Sequence, residues 1–419
     1  MQIAYVIGQY TPANLLGSHI YIKNFAQQMS QRKHKVTILT STECDSDQLR
    51  PLKKVERIND IEVRRFKIIR YEKLRIANKI RLEQNESDSS NKRGLETKRT
   101  SSYFYGIKEI LFNLYTGQFV SLWSPALYLH ILKSSYDLIH VTPFPCTHTW
   151  LASRAAWKAK VPLIITPAFH FEMSSIYNKH LGTLLAYADA VFSNTNIEKR
   201  KIIELGINPE KIYVIPPGID VSKWESRCGD RFRKKYGLKD KFIILFAGAK
   251  SYHKGALHLL KAMQLIQQHE KNVVLVAIGY DTAEWHEEKI KLRNLNVIDL
   301  GYVSEKEKHD AFDACDLFAM PSKADSFGIV YLEAWICGKP VIGARVGAIQ
   351  EVIREGVDGY MVKFGDVSDL AKKILHLSKN PDLCERLGAN GKKRVLKNHN
   401  WEKIGQKISS VYESIVGRN

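Results

Sequence analysis

The chain has 419 residues, 26% charged and 44% hydrophobic, with a formal net charge of +19. That length supports two domains with substantial cores, and the apolar content is ordinary for a soluble globular protein. Six cysteines (Cys44, Cys146, Cys228, Cys315, Cys337, Cys384) form no C-x-x-C pair, which excludes a zinc ribbon or a disulfide framework and leaves buried, reduced thiols. So basic a chain needs an anionic partner. Between Arg50 and Ile110, 17 Lys and Arg stand against 9 Asp and Glu, an excess of eight. No RNA-recognition signature, zinc finger or aromatic-interleaved basic repeat accompanies them, so the expected partner is an anionic membrane face and not nucleic acid. The chain opens directly on a strand, MQIAYVIGQYTP, without a basic n-region, continuous apolar h-region or cleavage site. It is therefore expected to stay in the cytoplasm.

Met1 to Ile7 reads as a buried strand and Gly8 to Gly17 as the loop at its carboxyl end. Ser18 is placed to cap the helix that follows, where Ile22, Phe25, Ala26 and Met29 fall at i, i+3, i+4, i+7 and form one buried face. Gly17 permits close approach of another group. Lys35 to Thr40 is the next strand, so the sheet is parallel, with ligands beyond the carboxyl ends of its strands. Ile61 to Ile69 alternates as a strand, and the polar run Asn78 to Ser102 has almost nothing to bury, which predicts a loop. Asp45-Ser46-Asp47, the one D-x-D, reads as a polar surface turn.

From Ile110 to Leu132 there is no Lys, Arg, Asp or Glu. Asn113, Gly117, Gln118 and Pro125 interrupt this aromatic-rich passage, which makes it a poor transmembrane helix. Two readings stay open: helices packed in the first core, or a patch lying with the basic loop in a membrane interface. Asp137 to Thr142, Val161 to Thr166, Ala186 to Asn194 and Lys211 to Asp220 read as further strands. His140 and His170 fall where a parallel sheet presents side chains to a ligand.

A second strand-helix series follows the Pro216-Pro217 pair: strand Phe242 to Ala247, a loop, a helix from about Gly255, strand Val273 to Ile278, a loop, strand Asn296 to Leu300, and a helix from Ser304. In the loop Gly248 to Gly255, Lys254 is placed to meet a diphosphate. The stretch Asp316 to Gly347 reads as strand, loop, helix opening near Phe327, and strand. The free N–H groups around Gly328 at that helix start favour an anion. Asp325 and Glu333 bracket it, and carboxylates beside a phosphate site suit neutral hydroxyls, so the pattern fits a sugar nucleotide. Asp382 to Val416 is helical throughout.

The run D-S-F-G-I-V-Y-L-E-A from Asp325, followed by G-K-P-V-I and G-A-I-Q-E, resembles the donor signature of the retaining glycosyltransferases of family 4. Their fold is GT-B, an α/β architecture of two doubly wound, Rossmann-like domains facing across a cleft. The family encloses seven residues between two glutamates; here the first acid is Asp325, one methylene shorter, and the second is Glu333. The resemblance implies Glu333 on the nucleotide ribose and Asp325 on a sugar hydroxyl. It puts Ser326, Phe327, Gly328 and Ile329 at the donor phosphates, with His170 near the sugar or the incoming hydroxyl. Lys254 stands at the family's Lys-Gly, with Gly248 in the same loop. Ala249 occupies the place of the family's arginine, and the adjacent Lys250 is the candidate second cation. Gly17-Ser18 stands where the family has Gly-Gly. The proline pair matches the interdomain linker, giving domains 1–216 and 217–399, with a terminal helix from about 400 to 419 packed back on the first.

Breaking the bond from sugar to diphosphate builds charge on the departing group, and preorganised positive charge lowers that barrier. Lys254, Lys250 and the helix start at Phe327 to Ile329 are expected to supply it with no metal and no other cofactor. The expected function is transfer of a sugar from a nucleotide sugar to a glycan or lipid-linked acceptor at the inner membrane face. Other classes remain open on sequence: a non-catalytic sugar-nucleotide or membrane-binding protein, or a GT-B epimerase or phosphorylase.

Overall fold

A computed structural model describes residues 1–8, 10, 17–42, 52–67, 124–142, 147–168, 181–292 and 294–418. They form two units. One holds the described residues up to 168, those from 181 to 192, and 409–418; the other holds 193–408.

The first unit contains β1 (Gln2–Val6), β2 (Lys35–Ser41), β3 (Val55–Ile58), β4 (Ile61–Phe66), β5 (Leu138–Val141), β6 (Leu163–Ile165) and β7 (Ala190–Ser193). Their order through this unit is β3-β4-β2-β1-β5-β6-β7. All neighbours are parallel except β3 and β4. The order reverses between β1 and β5, the kind of switch at which parallel sheets bind ligands. Helix Gly17–Gln31 buries Ile22, Phe25, Ala26 and Met29 completely, the face its spacing predicts. It starts at Gly17 itself, so Ser18 lies in its first turn and not at its cap. The alternating strand β4 stops at Phe66.

His140, on β5, does not face a ligand. Its ring is wholly buried, with Nδ1 2.5 Å from the Tyr412 hydroxyl and Nε2 2.7 Å from Thr166 Oγ1. Burial among Tyr5, Phe25, Phe192 and Tyr412 pushes its pKa down to about 3, so it is a neutral core histidine. Tyr412, near the end of helix Trp401–Val416, also meets the Tyr5 hydroxyl at 3.2 Å, which ties the last turns of the chain into this core.

The second unit holds β8 (Ile212–Val214) and a six-stranded parallel sheet. Its strands are β9 (Phe242–Ala247), β10 (Val273–Ile278), β11 (Val297–Leu300), β12 (Leu317–Met320), β13 (Val341–Ala344) and β14 (Gly359–Val362). The order is β11-β10-β9-β12-β13-β14. β10 and β12 are buried at every residue, as near-continuous apolar runs covered on both faces should be. Helices Ala256–Ile266 and Val367–Ser378 pack together, as do Ile329–Ile336 and Pro381–Asn398. The segment between β10 and β11, expected as a loop, contains helix Ala283–Lys291. Only Trp285 anchors it in the core, too little to leave a periodic stripe in the sequence.

His170, the D-x-D pair at Asp45 and Asp47, the polar run from Asn78 to Ser102, and residues 110–123 lie outside the described residues. The end of the uncharged passage forms helix Pro125–Leu132, with Leu127 and Ile131 buried and Leu129 turned outward.

Candidate active site

The second sheet reverses direction between β9 and β12, and the two candidate loops leave the carboxyl ends of these neighbouring strands. The loop after β9 carries Gly248, Lys250 and Lys254; the loop after β12 carries Asp325 to Gly328. They are tied backbone to backbone, Lys323 N donating to His253 O at 2.7 Å. Lys254 Nζ then reaches Asp325 Oδ2 at 2.7 Å. Residues 71 apart in sequence thus form one partly exposed ion pair, with the lysine side chain 33% and the aspartate 13% accessible.

Gly255 allows the two loops to meet. Its φ is +78°, and a Cβ there would lie 2.3 Å from the Pro321 carbonyl oxygen. Left-handed backbone costs a residue with a Cβ about 1–2 kcal/mol, and the overlap with fixed backbone adds to it. Gly255→Ala is expected to lower stability by at least about 2 kcal/mol in a denaturant titration and to pull Lys254 away from Asp325. An unchanged midpoint would mean that the loops do not touch as described.

Gly328 opens helix Ile329–Ile336 with φ +80°, and a Cβ there would strike the Tyr331 ring at 2.5 Å. Tyr331 is held in turn by its hydroxyl, which donates to Met320 O at 2.7 Å. The helix start therefore sits immediately beyond β12, with its first N–H groups unclaimed by a side-chain cap. Ser326 and Ile329 are half-buried at this entrance. Phe327 is buried, its ring centroid 5.6 Å from that of His399, so any contribution to an anion site comes from its backbone.

Glu333, in the same helix, meets Lys308 Nζ at 3.1 Å. Lys308 also pairs with Glu305 at 3.3 Å. Burial pulls the Lys308 ammonium's pKa down, but the two carboxylates outweigh it and hold the pKa above its ordinary value. Sequence reasoning passed over this lysine. The available signal was its position: Lys308 falls at i of the i, i+3, i+4 set it makes with Ala311 and Phe312, which the helix Glu305–Ala314 buries.

Lys250 goes elsewhere. Its side chain is wholly buried, and its ammonium contacts both Asp281 and Asp299 beside the face of Trp285. Asp299 also accepts from Trp285 Nε1 at 2.9 Å and Lys289 Nζ at 2.7 Å. Burial raises the Asp299 pKa, but the bonds from Lys250, Lys289 and Trp285 overcome it and bring it down to about 2. With its charge already balanced by two carboxylates, Lys250 is not the free second cation that its place beside Ala249 suggested. Gly17 and Ser18 belong to the first unit, in the first turn of its opening helix.

Beyond the carboxyl ends of β10 and β11, Tyr280 and Tyr302 present exposed rings 6.4 Å apart and 24° from parallel. Among the described residues, no three His, Cys, Asp or Glu side chains converge as metal ligands would.

Two parallel-sheet α/β units, with these loops at the switch point of the second, define a GT-B protein. Residues 229–394 match the family described as Glycosyl transferases group 1, and residues 91–223 match Glycosyltransferase Family 4. By these two matches together the chain belongs to the family 4 glycosyltransferases. The D-inositol 3-phosphate glycosyltransferase of Thermomonospora curvata is 28% identical over 317 residues, covering 66% of this chain and 71% of that protein. HepE of Anabaena, solved in complex with UDP and glucose, is similar with a TM-score of 0.74 and 19% identity, over 99% of this chain and 100% of that one. Sucrose-phosphate synthase of Thermosynechococcus elongatus is similar at 0.71 and 18% identity, over the whole of both chains. The protein is a glycosyltransferase.

Proposed function

We propose that this enzyme moves a sugar from a nucleoside-diphosphate donor to a hydroxyl acceptor with retention of anomeric configuration. The observation that carries the proposal is the Lys254–Asp325 pair beside the Gly328 helix start. In the free protein the ammonium and carboxylate neutralise each other. An incoming diphosphate competes for Lys254 and lies at the helix start, which leaves Asp325 to accept from a sugar hydroxyl. As the bond to the sugar breaks, charge grows where Lys254 and the helix N–H groups already point, without a metal. Glu333 accepts from the ribose diol while Lys308 steadies its other oxygen. The Tyr280 and Tyr302 rings offer faces on which a base stacks. His170 is proposed to stand near the sugar on the strength of the family resemblance alone, as is retention.

A uridine nucleotide is the first donor to test, because the similar Anabaena protein was solved with UDP. For the acceptor, the uncharged passage and the basic excess between residues 50 and 132 favour a lipid-linked or membrane-held glycan at the inner face of the membrane. Among the described residues, no helix is long and apolar enough to cross a membrane. A small polyol phosphate is the second acceptor class, since the curated relatives are named for D-inositol 3-phosphate.

Nucleotide release from UDP-, GDP- and ADP-sugars, offered with a membrane-lipid extract or with D-inositol 3-phosphate, tests both assignments. One donor should give acceptor-dependent release, and Glu333→Ala should raise its KM about tenfold or more, the loss expected when hydrogen bonds to a charged group are removed. A Glu333→Ala enzyme with unchanged donor KM would refute the ribose assignment.

A further inference from the structure

Helix Thr147–Ala159 in the first unit presents an unusual face to solvent. Its buried side is lined by Leu151 and by small and polar residues, Ala152, Ala155 and Ala156 together with His148, Thr149 and Ser153. Its outward side carries Trp150, Arg154, Trp157 and Lys158, at the spacing i, i+4, i+7, i+8 of a single stripe. One large aromatic, Trp157, thus points out where a surface helix ordinarily carries polar groups, and Trp150 lies half-buried along the same stripe. Trp157 is 56% exposed. The Arg154 guanidinium carbon lies 5.9 Å from the Trp150 ring centre and 5.7 Å from that of Trp157. Tyr187, itself exposed, meets Trp157 edge-on with ring centroids 5.9 Å apart.

Helix Pro125–Leu132 packs against this helix and adds Leu129, 51% exposed. Neither helix contains an acidic residue, and exposed lysines, Lys133 and Lys160, follow their ends. Asp137 and Asp189, exposed acids that follow these helices, each accept from backbone, Asp137 from Gln2 N at 2.6 Å and Asp189 from Leu163 N at 2.8 Å, and Glu172 lies outside the described residues.

The geometry points to this face as a docking surface for an anionic lipid bilayer. Tryptophan and tyrosine, amphipathic and partly apolar, partition to the headgroup level, where arginine and lysine meet lipid phosphates. A second copy of the chain is a poorer occupant. A two-fold contact would set Arg154, Lys158 and Lys160 against their own copies, and like charges across an interface are costly. The surface gives the proposed membrane-side acceptor a physical location, and to that extent it rests on that proposal. It is tested without donor or turnover, so a failure here leaves the transfer chemistry untouched.

The full chain is mixed with phosphatidylcholine vesicles, with and without phosphatidylglycerol, and sedimented. Wild type should sediment with the anionic vesicles only, and less so at high salt. Arg154→Gln and Lys158→Gln should each reduce that partition about fivefold, the loss expected for one basic residue near a charged membrane. Brominated lipid should quench tryptophan fluorescence in wild type and lose most of that quenching in Trp157→Phe, a substitution at an exposed position that leaves the fold intact. Three results would overturn the proposal: equal binding to neutral vesicles; anionic binding that none of the substitutions changes, which would assign it to the basic stretch after Arg50; or a dimer in light scattering that Trp157→Ser dissolves.

Discussion

Lys254→Ala should lower kcat by about two to three orders of magnitude, the loss typical when one preorganised donor to a developing oxyanion is removed. The expectation rests on two properties of the site. Lys254 is held on a loop pinned by Gly255 against the Pro321 backbone, so its ammonium is in place before charge develops. Its removal also leaves Asp325, 13% exposed, as an uncompensated negative charge beside the incoming diphosphate. Lys254→Ala is therefore expected to weaken donor binding as well as the chemical step. Adding Asp325→Asn should restore part of the binding and none of the rate, a non-additivity that a double-mutant cycle measures. The thermal midpoint should fall by less than in Lys250→Met, because Lys254 is partly exposed, although Asp325, 13% exposed, loses its partner. A Lys254→Ala enzyme with wild-type kcat would end the assignment.

The neighbouring Lys250→Met should do the opposite, damaging the fold first and the chemistry second. Its ammonium is wholly buried between Asp281 and Asp299, and removing one partner of a buried pair costs about 3–5 kcal/mol because the other charge remains. Asp299 keeps Lys289 and Trp285, and Asp281 keeps His286 Nε2 at 3.3 Å, which places the loss toward the lower end of that range. The denaturant midpoint reads it directly. The pH dependence gives a second readout with a definite sign. Asp299 is held at about 2, below its ordinary 3.8, so its contribution is fully present above about pH 4 and is lost as the pH falls toward 2. Lys250→Met removes much of that depression, so acid unfolding should begin at higher pH than in the wild type. A variant with unchanged midpoint and acid limb would mean that the buried cluster is not formed.

Much of the fold was legible because its signals are local. β9 and β10 were read with the bounds they have, Phe242–Ala247 and Val273–Ile278, since strands buried on both faces are unbroken apolar runs. The face of the first helix was legible for the same reason. Elements with little periodic burial were not. β3, reading VERI, is half exposed at the sheet edge, and helix Ala283–Lys291 is anchored by one tryptophan.

The site divides along the same line. The chain order of Asp325, Gly328 and Glu333, and of Lys250 and Lys254, suffices to name a donor signature and a pair of candidate cations. Sequence by itself therefore determined the two-unit α/β class and the family, and it singled out the loops after β9 and β12 as the candidate site. It did not distinguish Lys250 from Lys254, because the difference lies in Asp281 and Asp299, brought under that loop by the pairing of β9, β10 and β11. It missed Lys308, whose value comes from Glu333 on a different helix, and it left His140 open until Tyr412, 272 residues away, closed around it. Only the tertiary structure decided which charged pairs are fully buried, as at Lys250, and which stay partly exposed, as at Lys254. Coulomb energies and desolvation depend on distance and burial in space, and neither is written in the spacing of residues along the chain.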